Sequence, residues 1–364
     1  MHSNSRLDNL YAHLDHNKID AMLITSPKHV YYLTGFATDP HERFLGLLLA
    51  RGEYPTLLLP ALDYEAAAAA TGMARIHTHS DTENAHDVLR KLMPANVRSL
   101  GVEKEHLSVA TFEKLAEAIG AEAYVDVGSP LRDMRAVKSA DEVARMRRAA
   151  RLVEDVLREG VSRAKPGTTE IELVAELEYQ MKKLGAQCPS FDTMVLTGAK
   201  SALPHGKPDA TAIREGDLLL FDLGVFADGY ASDITRTFAV GEVPDEAKRI
   251  YAAVLDANRR AIEAIRPGAT LGSLDRAARE AIEAAGYGPY FMHRLGHGLG
   301  MDIHEYPSVH GLNEDKVRAG MAFTVEPGVY VPGVGGVRIE DDVVATEDGV
   351  DVLTSFPKEL TVIG

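Results

Sequence analysis

The sequence predicts an α/β (α+β) protein in two domains, and three observations carry that expectation. The chain has 364 residues, enough for two or three domains at roughly 150 residues each. Its first third alternates short apolar runs with alanine- and leucine-rich helical stretches. From Ser139 onward two long helices open with the same start signal, and no low-complexity linker or repeat separates the two parts.

In order along the first part, strands are expected at Asp20 to Thr25, Val30 to Thr34, Phe44 to Ala50, Thr56 to Leu59, Arg75 to His79, Arg98 to Glu103 and Ala123 to Val127. Tyr64 to Thr71 and Val109 to Ala118 read as helices, because alanine, leucine and glutamate dominate without Gly or Pro. This domain ends near Asp133. Ser139-Ala140-Asp141-Glu142 is then a capping box, followed at helical spacing by Val143, Met146, Ala150, Val153 and Leu157 and stopped by Lys165-Pro166-Gly167. Thr169-Glu170-Ile171-Glu172 opens the next helix, and further helices are expected at Asp245 to Ile265 and Leu271 to Ala285.

Composition narrows the function classes. With 39 basic and 54 acidic residues the net charge is −15, which disfavours nucleic acid or an anionic membrane as partner. Cys188 is the single cysteine, so no internal disulfide forms. Met1 to Arg6 lack the apolar stretch of a secretory signal, and no run approaches the roughly 18 to 20 apolar residues of a membrane helix. A soluble protein of the reducing cytoplasm is expected.

Three apolar segments carry charges where charges are costly. Asp222 sits in the middle of Leu218-Leu219-Leu220-Phe221-Asp222-Leu223, Glu326 follows Ala322-Phe323-Thr324-Val325, and Glu340-Asp341-Asp342 lies between Val337 and Val343. A lone acid in such a place is more often salt-bridged than functional, but three need a common cause. A turn at Ala227-Asp228-Gly229 would bring Asp233 beside Asp222 on a neighbouring strand. Like charges that close call for a cation, and carboxylates with one imidazole suit Mn, Co, Fe or Zn. The imidazole candidate is His297, flanked by Gly296 and Gly298. Four carboxylates and a histidine can hold two metal ions roughly 3.5 to 4 Å apart, as in two-metal hydrolases.

The stretches Ser201-Ala202-Leu203-Pro204-His205-Gly206, Asp222-Leu223-Gly224, Ser232-Asp233-Ile234-Thr235-Arg236-Thr237, Gly296-His297-Gly298-Leu299-Gly300, Val325-Glu326-Pro327-Gly328 and Arg338-Ile339-Glu340-Asp341 resemble the proline-specific metallopeptidases of the pita-bread fold, the branch that contains prolidase and aminopeptidase P. The resemblance covers nearly the whole chain. It implies a creatinase-like N-terminal domain over residues 1–133 and a pita-bread catalytic domain over residues 134–364. It also implies two divalent metal ions per subunit, Mn before Co or Zn, and hydrolysis of Xaa-Pro dipeptides by a water that bridges them.

Carried over position by position, Asp222 resembles the terminal ligand of one metal, His297 and Glu326 ligands of the other, and Asp233 and Glu340 the two bridges, with Glu326 taking the proton from water. His205 and His304 match two non-ligand histidines that stabilise the peptide carbonyl or the departing proline nitrogen. His293 matches a histidine at the edge of the site, and Phe191 an aromatic that flanks the substrate. Arg338, two residues before Glu340, is expected on the same strand face, where it orients Glu340 or binds substrate. A homodimer is implied, with the loop Ala37 to Arg43 of one subunit helping to roof the other's site, where Asp39 and Arg43 offer an anion and a cation to the termini of a dipeptide. One departure stands out: many prolidases have a basic residue after His-Glu-x-Pro, and here Ser308 follows His304-Glu305-Tyr306-Pro307. Xaa-Pro aminopeptidase activity on longer peptides is therefore the alternative. A creatinase-like enzyme or binding module without metal is a poorer one, since all five ligand positions are intact.

Overall fold

This computed structural model describes residues 5–364; Met1 to Asn4, and with them His2, which carries no expected role, lie outside the described residues. The chain forms two compact units, Met1–Met134 and Arg135–Gly364.

The first unit is built on a six-stranded sheet whose order is Ile76–His79, Thr56–Pro60, Gly46–Ala50, Ala21–Ile24, Ser99–Val102 and Ala123–Asp126. The central strands are buried on both faces, which explains runs such as Met22-Leu23-Ile24, Leu47-Leu48-Leu49 and Leu57-Leu58-Leu59. Val30 to Thr34 is not a strand. It belongs to the helix Pro27–Thr34, opened by Ser26 in extended conformation and Pro27 in the first turn, and closed by Gly35 at φ 80°. A five-residue apolar run fits either period, and here Pro and Gly at the two ends decide. The helices Ser5–Asn17, Tyr64–Thr71, Ala85–Leu92 and Val109–Ile119 belong to this unit, and Gly128–Ala136 begins in it.

In the second unit both capping boxes form, with Ser139 and Glu142, then Thr169 and Glu172, each satisfying the other's backbone N–H. The helices Ala140–Arg163 and Glu170–Leu184 pack Val153, Leu157, Leu173 and Leu177 against Leu219, Phe221 and Leu223 of the strand Leu218–Leu223. Because side chains alternate along a strand, Leu218, Leu220 and Asp222 must face the other way. The neighbouring strand Ile234–Val240 runs antiparallel with Thr235 opposite Asp222, so Asp233, Thr235 and Thr237 share that face.

Against it lie a hairpin, Gly328–Val331 with Gly335–Arg338, and a five-stranded sheet in the order Glu305–Val309, Gly296–Gly298, Ala322–Val325, Asp341–Ala345, Val350–Val352. The helices Asp245–Glu263 and Leu271–Ala284 cover the far side of this half, packing Ile250, Val254, Leu274 and Ile282 with Phe323, Val325, Ile339 and Val343. The charged segment near Glu340 is not one continuous strand. Strand structure stops at Arg338 and resumes at Asp341, so Ile339 and Glu340 form a short connection.

Candidate metal centre and active site

One cavity of about 730 Å³ in the second unit collects the charges that the sequence left unexplained. Its lining includes Asp222, Asp233, His297, Glu326 and Glu340, together with His205, His293, His304, Phe191 and Arg338. The ligand atoms of Asp233, His297 and Glu340 lie within 4.8 Å of one another. His297 Nε2 is 3.4 Å from Glu326 Oε1 and 3.7 Å from Asp233 Oδ2.

Each group is held from behind. His297 Nδ1 lies 3.1 Å from the Gly298 carbonyl, which can only accept, so the proton sits on Nδ1 and the Nε2 lone pair faces the carboxylates. Thr324 accepts the His297 backbone N–H at 3.1 Å and donates to Glu326 at 3.3 Å. Thr235 donates to Glu340 Oε2 at 2.6 Å. Arg338 ties the set together: it pairs with Asp222, donates to Thr235 at 3.1 Å and donates to the Tyr330 hydroxyl at 2.8 Å. Tyr330 lies 3.0 Å from His293 Nε2, and His293 Nδ1 lies 2.7 Å from the Arg294 carbonyl. The donors therefore run Arg338 to Tyr330 to His293 to Arg294, which requires a neutral His293. Burial agrees, pushing the His293 imidazole down to about 4.

Charge balance in this pocket is poor without a cation. Asp233 and Glu340 are pushed well above the usual carboxylate range, by burial first and then by their acidic neighbours. Glu326 is pushed up to about 7 by burial, with Asp222 adding repulsion. Among the described residues Asp233 Oδ1 and Glu340 Oε1 are buried without a hydrogen-bond partner. Crowded, buried carboxylates around an imidazole whose Nε2 lone pair faces them are what a divalent cation requires, so the donor set fits a metal site.

The Glu340-Asp341-Asp342 run divides into three tasks. Only Glu340 lines the cavity. Asp341, fully buried, accepts from Arg236 at 2.8 Å, Thr354 at 2.9 Å and Lys358 at 2.9 Å. Asp342 accepts the Asp233 backbone N–H at 3.0 Å, which fixes the strand entry that carries this carboxylate.

The expected residues thus fall in two places. Asp222, Asp233, His297, Glu326, Glu340, His205, His304, His293, Phe191 and Arg338 share the cavity. Asp39 and Arg43 belong to the first unit, where Asp39 accepts from the His41 N–H at 3.0 Å and Arg43 donates to Asp81 at 2.7 Å. The sequence reading missed Thr235, Thr324, Tyr330 and Arg294. Thr235 had a signal, two residues past Asp233 on one strand face; Tyr330 and Thr324 had none beyond strand alternation. Arg294 lines the cavity, and its one side-chain hydrogen bond among the described residues goes to Ser308 Oγ at 3.0 Å, the position where the basic residue is replaced.

Buried carboxylates around one imidazole, at the floor of a cavity in a mixed α/β unit, define a metal-dependent hydrolytic enzyme. The chain belongs to metallopeptidase family M24, whose model matches residues 144–347, while residues 6–137 match the creatinase/prolidase N-terminal domain. It is 43% identical over 346 residues to the Bacillus subtilis (strain 168) protein named "Putative dipeptidase YkvY", covering 94% of this chain and 95% of that one. Among solved structures it is similar to the prolidase from Pyrococcus horikoshii OT3, with a TM-score of 0.91, 37% identity, and coverage of 98% and 100%. It is similar also to the Xaa-Pro dipeptidase from Bacillus anthracis, with a TM-score of 0.93, 34% identity and 99% coverage of both chains. Among the described residues no helix is long and apolar enough to cross a membrane.

Proposed function

We propose that this enzyme hydrolyses Xaa-Pro dipeptides using two divalent metal ions, with Mn the best fit to an oxygen-rich ligand set. The observation that carries the reading is that Asp233, Glu340 and His297 bring ligand atoms within 4.8 Å of one another, while Asp233 and Glu340 each keep one buried oxygen without a partner among the described residues. Asp222, Asp233, His297, Glu326 and Glu340 would hold the ions. When bound, the ions supply Lewis acidity and lower the pKa of water at the site.

The chain's own residues do the rest. Glu326 accepts the proton of the attacking water and passes it toward the leaving nitrogen. His205 and His304, at the cavity wall, donate to the peptide carbonyl and the proline nitrogen. Phe191 flanks the substrate. Arg338 holds Asp222 directly and Glu340 through Thr235, so it acts as an orienting group. Arg294, whose one side-chain hydrogen bond among the described residues goes to Ser308, offers its remaining guanidinium donors to the proline carboxylate, taking the place of the basic residue that Ser308 replaces.

Residues 1–133 and 134–364 as domains, a homodimer roofed by the loop bearing Asp39 and Arg43, and a cytoplasmic location belong to the same reading. An aminopeptidase acting on longer Xaa-Pro peptides is the alternative that Ser308 keeps open. The test is hydrolysis of an Xaa-Pro dipeptide before and after chelation. Stripping abolishes activity, and Mn²⁺ or Co²⁺ restores it. Full activity in a verified metal-free sample overturns the reading.

A further inference from the structure

His304, itself exposed, reaches the cavity from a half-buried bend just before the strand Glu305–Val309, yet among the described residues its ring makes no side-chain hydrogen bond. What places it is the backbone of Met301 to Glu305 and an edge-on contact with His297, ring centroids 4.2 Å apart. That backbone is gripped from a distant part of the sequence. Glu305, immediately after His304, has only 8% of its side chain exposed and receives two cations, Lys138 on Oε1 and Arg135 on Oε2. Arg135 also donates to Asp302 at 2.6 Å, so one guanidinium spans both flanks of His304.

The cations are themselves fixed. Lys138, with 1% of its side chain exposed, donates to the Arg135 carbonyl at 2.6 Å. Its backbone N–H donates to the Gly320 carbonyl at 2.7 Å, and Val137 bridges to Met321, just before the strand that leads to Glu326. Gly300 completes the grip, because a Cβ there would stand 2.7 Å from Glu305 Oε1 and 2.9 Å from Lys138 Cε. Two buried cations on one carboxylate are costly to desolvate and weak evidence of stability, so their geometry needs another purpose.

We propose that Arg135 and Lys138 are positioning residues for His304, acting through Glu305 and Asp302. They hold the His304 backbone so that an otherwise unanchored imidazole meets the substrate, and they touch neither substrate nor metal ligand. This rests on the assignment of His304 to the reaction, and the test separates the two.

The experiment is a double-mutant cycle on Xaa-Pro hydrolysis, with metal content and a spectroscopic readout alongside. Lys138→Met is expected to lower kcat at least about tenfold with smaller change in KM, while metal analysis shows full loading. On a His304→Ala background the same substitution is expected to cost nothing further. In the metal-free protein with labelled histidine, the His304 ring resonance, assigned by its loss in His304→Ala, is expected to shift or broaden in Lys138→Met. Additive losses in the cycle, or an unmoved His304 resonance, overturn the proposal. Should Lys138→Met fail to fold, Glu305→Gln keeps the side-chain shape and enters the same cycle with the same expectations. If wild-type protein hydrolyses no Xaa-Pro peptide, the functional reading fails, while the resonance measurement still decides whether the clip holds His304.

Discussion

Thr235 donates its hydroxyl to one oxygen of Glu340 at 2.6 Å and leaves the other oxygen of that carboxylate buried without a partner among the described residues. The hydrogen bond aims the acid, and the free oxygen gives it something to do. Glu340→Gln keeps the shape and removes the charge, and Asp233→Asn does the same at the other bridge. Each is expected to lose metal and to reduce kcat/KM by at least about a hundredfold, the upper end of what losses around a ligand shell cause. Elemental analysis beside kinetics checks it, and a fully loaded, fully active variant at either position would remove that residue from the ligand set.

Metal uptake should tighten as pH rises. In the metal-free protein burial pushes Glu326 up to about 7, and Asp233 and Glu340 are pushed well above their usual range. A cation takes only the ionised carboxylate, so below about 7 it competes with a proton at Glu326, and loading releases protons. The sign for stability follows from linkage: between the ordinary carboxylate range and about 7 the folded state holds more protons than the unfolded one, so the metal-free protein loses stability as pH rises through that window. Calorimetric titration at pH 6 and pH 8, in buffers of different ionisation enthalpy, measures both the affinity and the proton release. An affinity that does not change with pH counts against these acids as the metal site.

His304 should separate from the ligands. It lines the cavity 4.2 Å, ring to ring, from His297, and burial lowers its pKa. The expected result for His304→Ala is unchanged metal content with kcat reduced, in the range of about 10²- to 10⁴-fold typical of a positioned proton donor. Loss of metal in this variant, measured after gel filtration, would make it a ligand instead.

The legible part of this molecule was the part written in charges against an apolar background. Asp222, Glu326 and Glu340 each violated the pattern of their segment, desolvation makes such violations informative, and the turn at Ala227-Asp228-Gly229 added Asp233 beside Asp222. The capping boxes at Ser139 and Thr169 were legible because they are local. Val30 to Thr34 was not, since a short apolar run fits a strand or a helix until its end signals at Pro27 and Gly35 are weighed. Asp341 and Asp342 looked equivalent to Glu340 in sequence, and only the partners across the fold, Arg236, Lys358 and the Asp233 backbone, tell them apart. Tyr330 and Arg294 carried no anomaly at all, because a tyrosine in a strand and an arginine beside a histidine are ordinary neighbours.

The choice between dipeptide and longer substrate turns on one cation. A dipeptide brings a proline carboxylate close to the scissile bond, and a site that prefers it must supply a positive group at fixed distance. Arg338 is committed to Asp222, Thr235 and Tyr330, while Arg294 lines the cavity with its one side-chain bond among the described residues going to the neutral Ser308 hydroxyl. Extending the substrate by one residue puts a neutral peptide bond where the carboxylate belongs, which forfeits a charge-assisted hydrogen bond of about 1.5–3 kcal/mol, and roughly tenfold or more in kcat/KM. Xaa-Pro should therefore exceed Xaa-Pro-Yaa by at least about tenfold, and Arg294→Ala should erase that preference mainly through KM for the dipeptide. Arg43→Ala is the companion measurement: Arg43 pairs with Asp81 in the first unit, and loss of the preference there would move the gate to the loop that also bears Asp39. Equal or greater kcat/KM for Xaa-Pro-Yaa in the wild-type protein decides for the aminopeptidase.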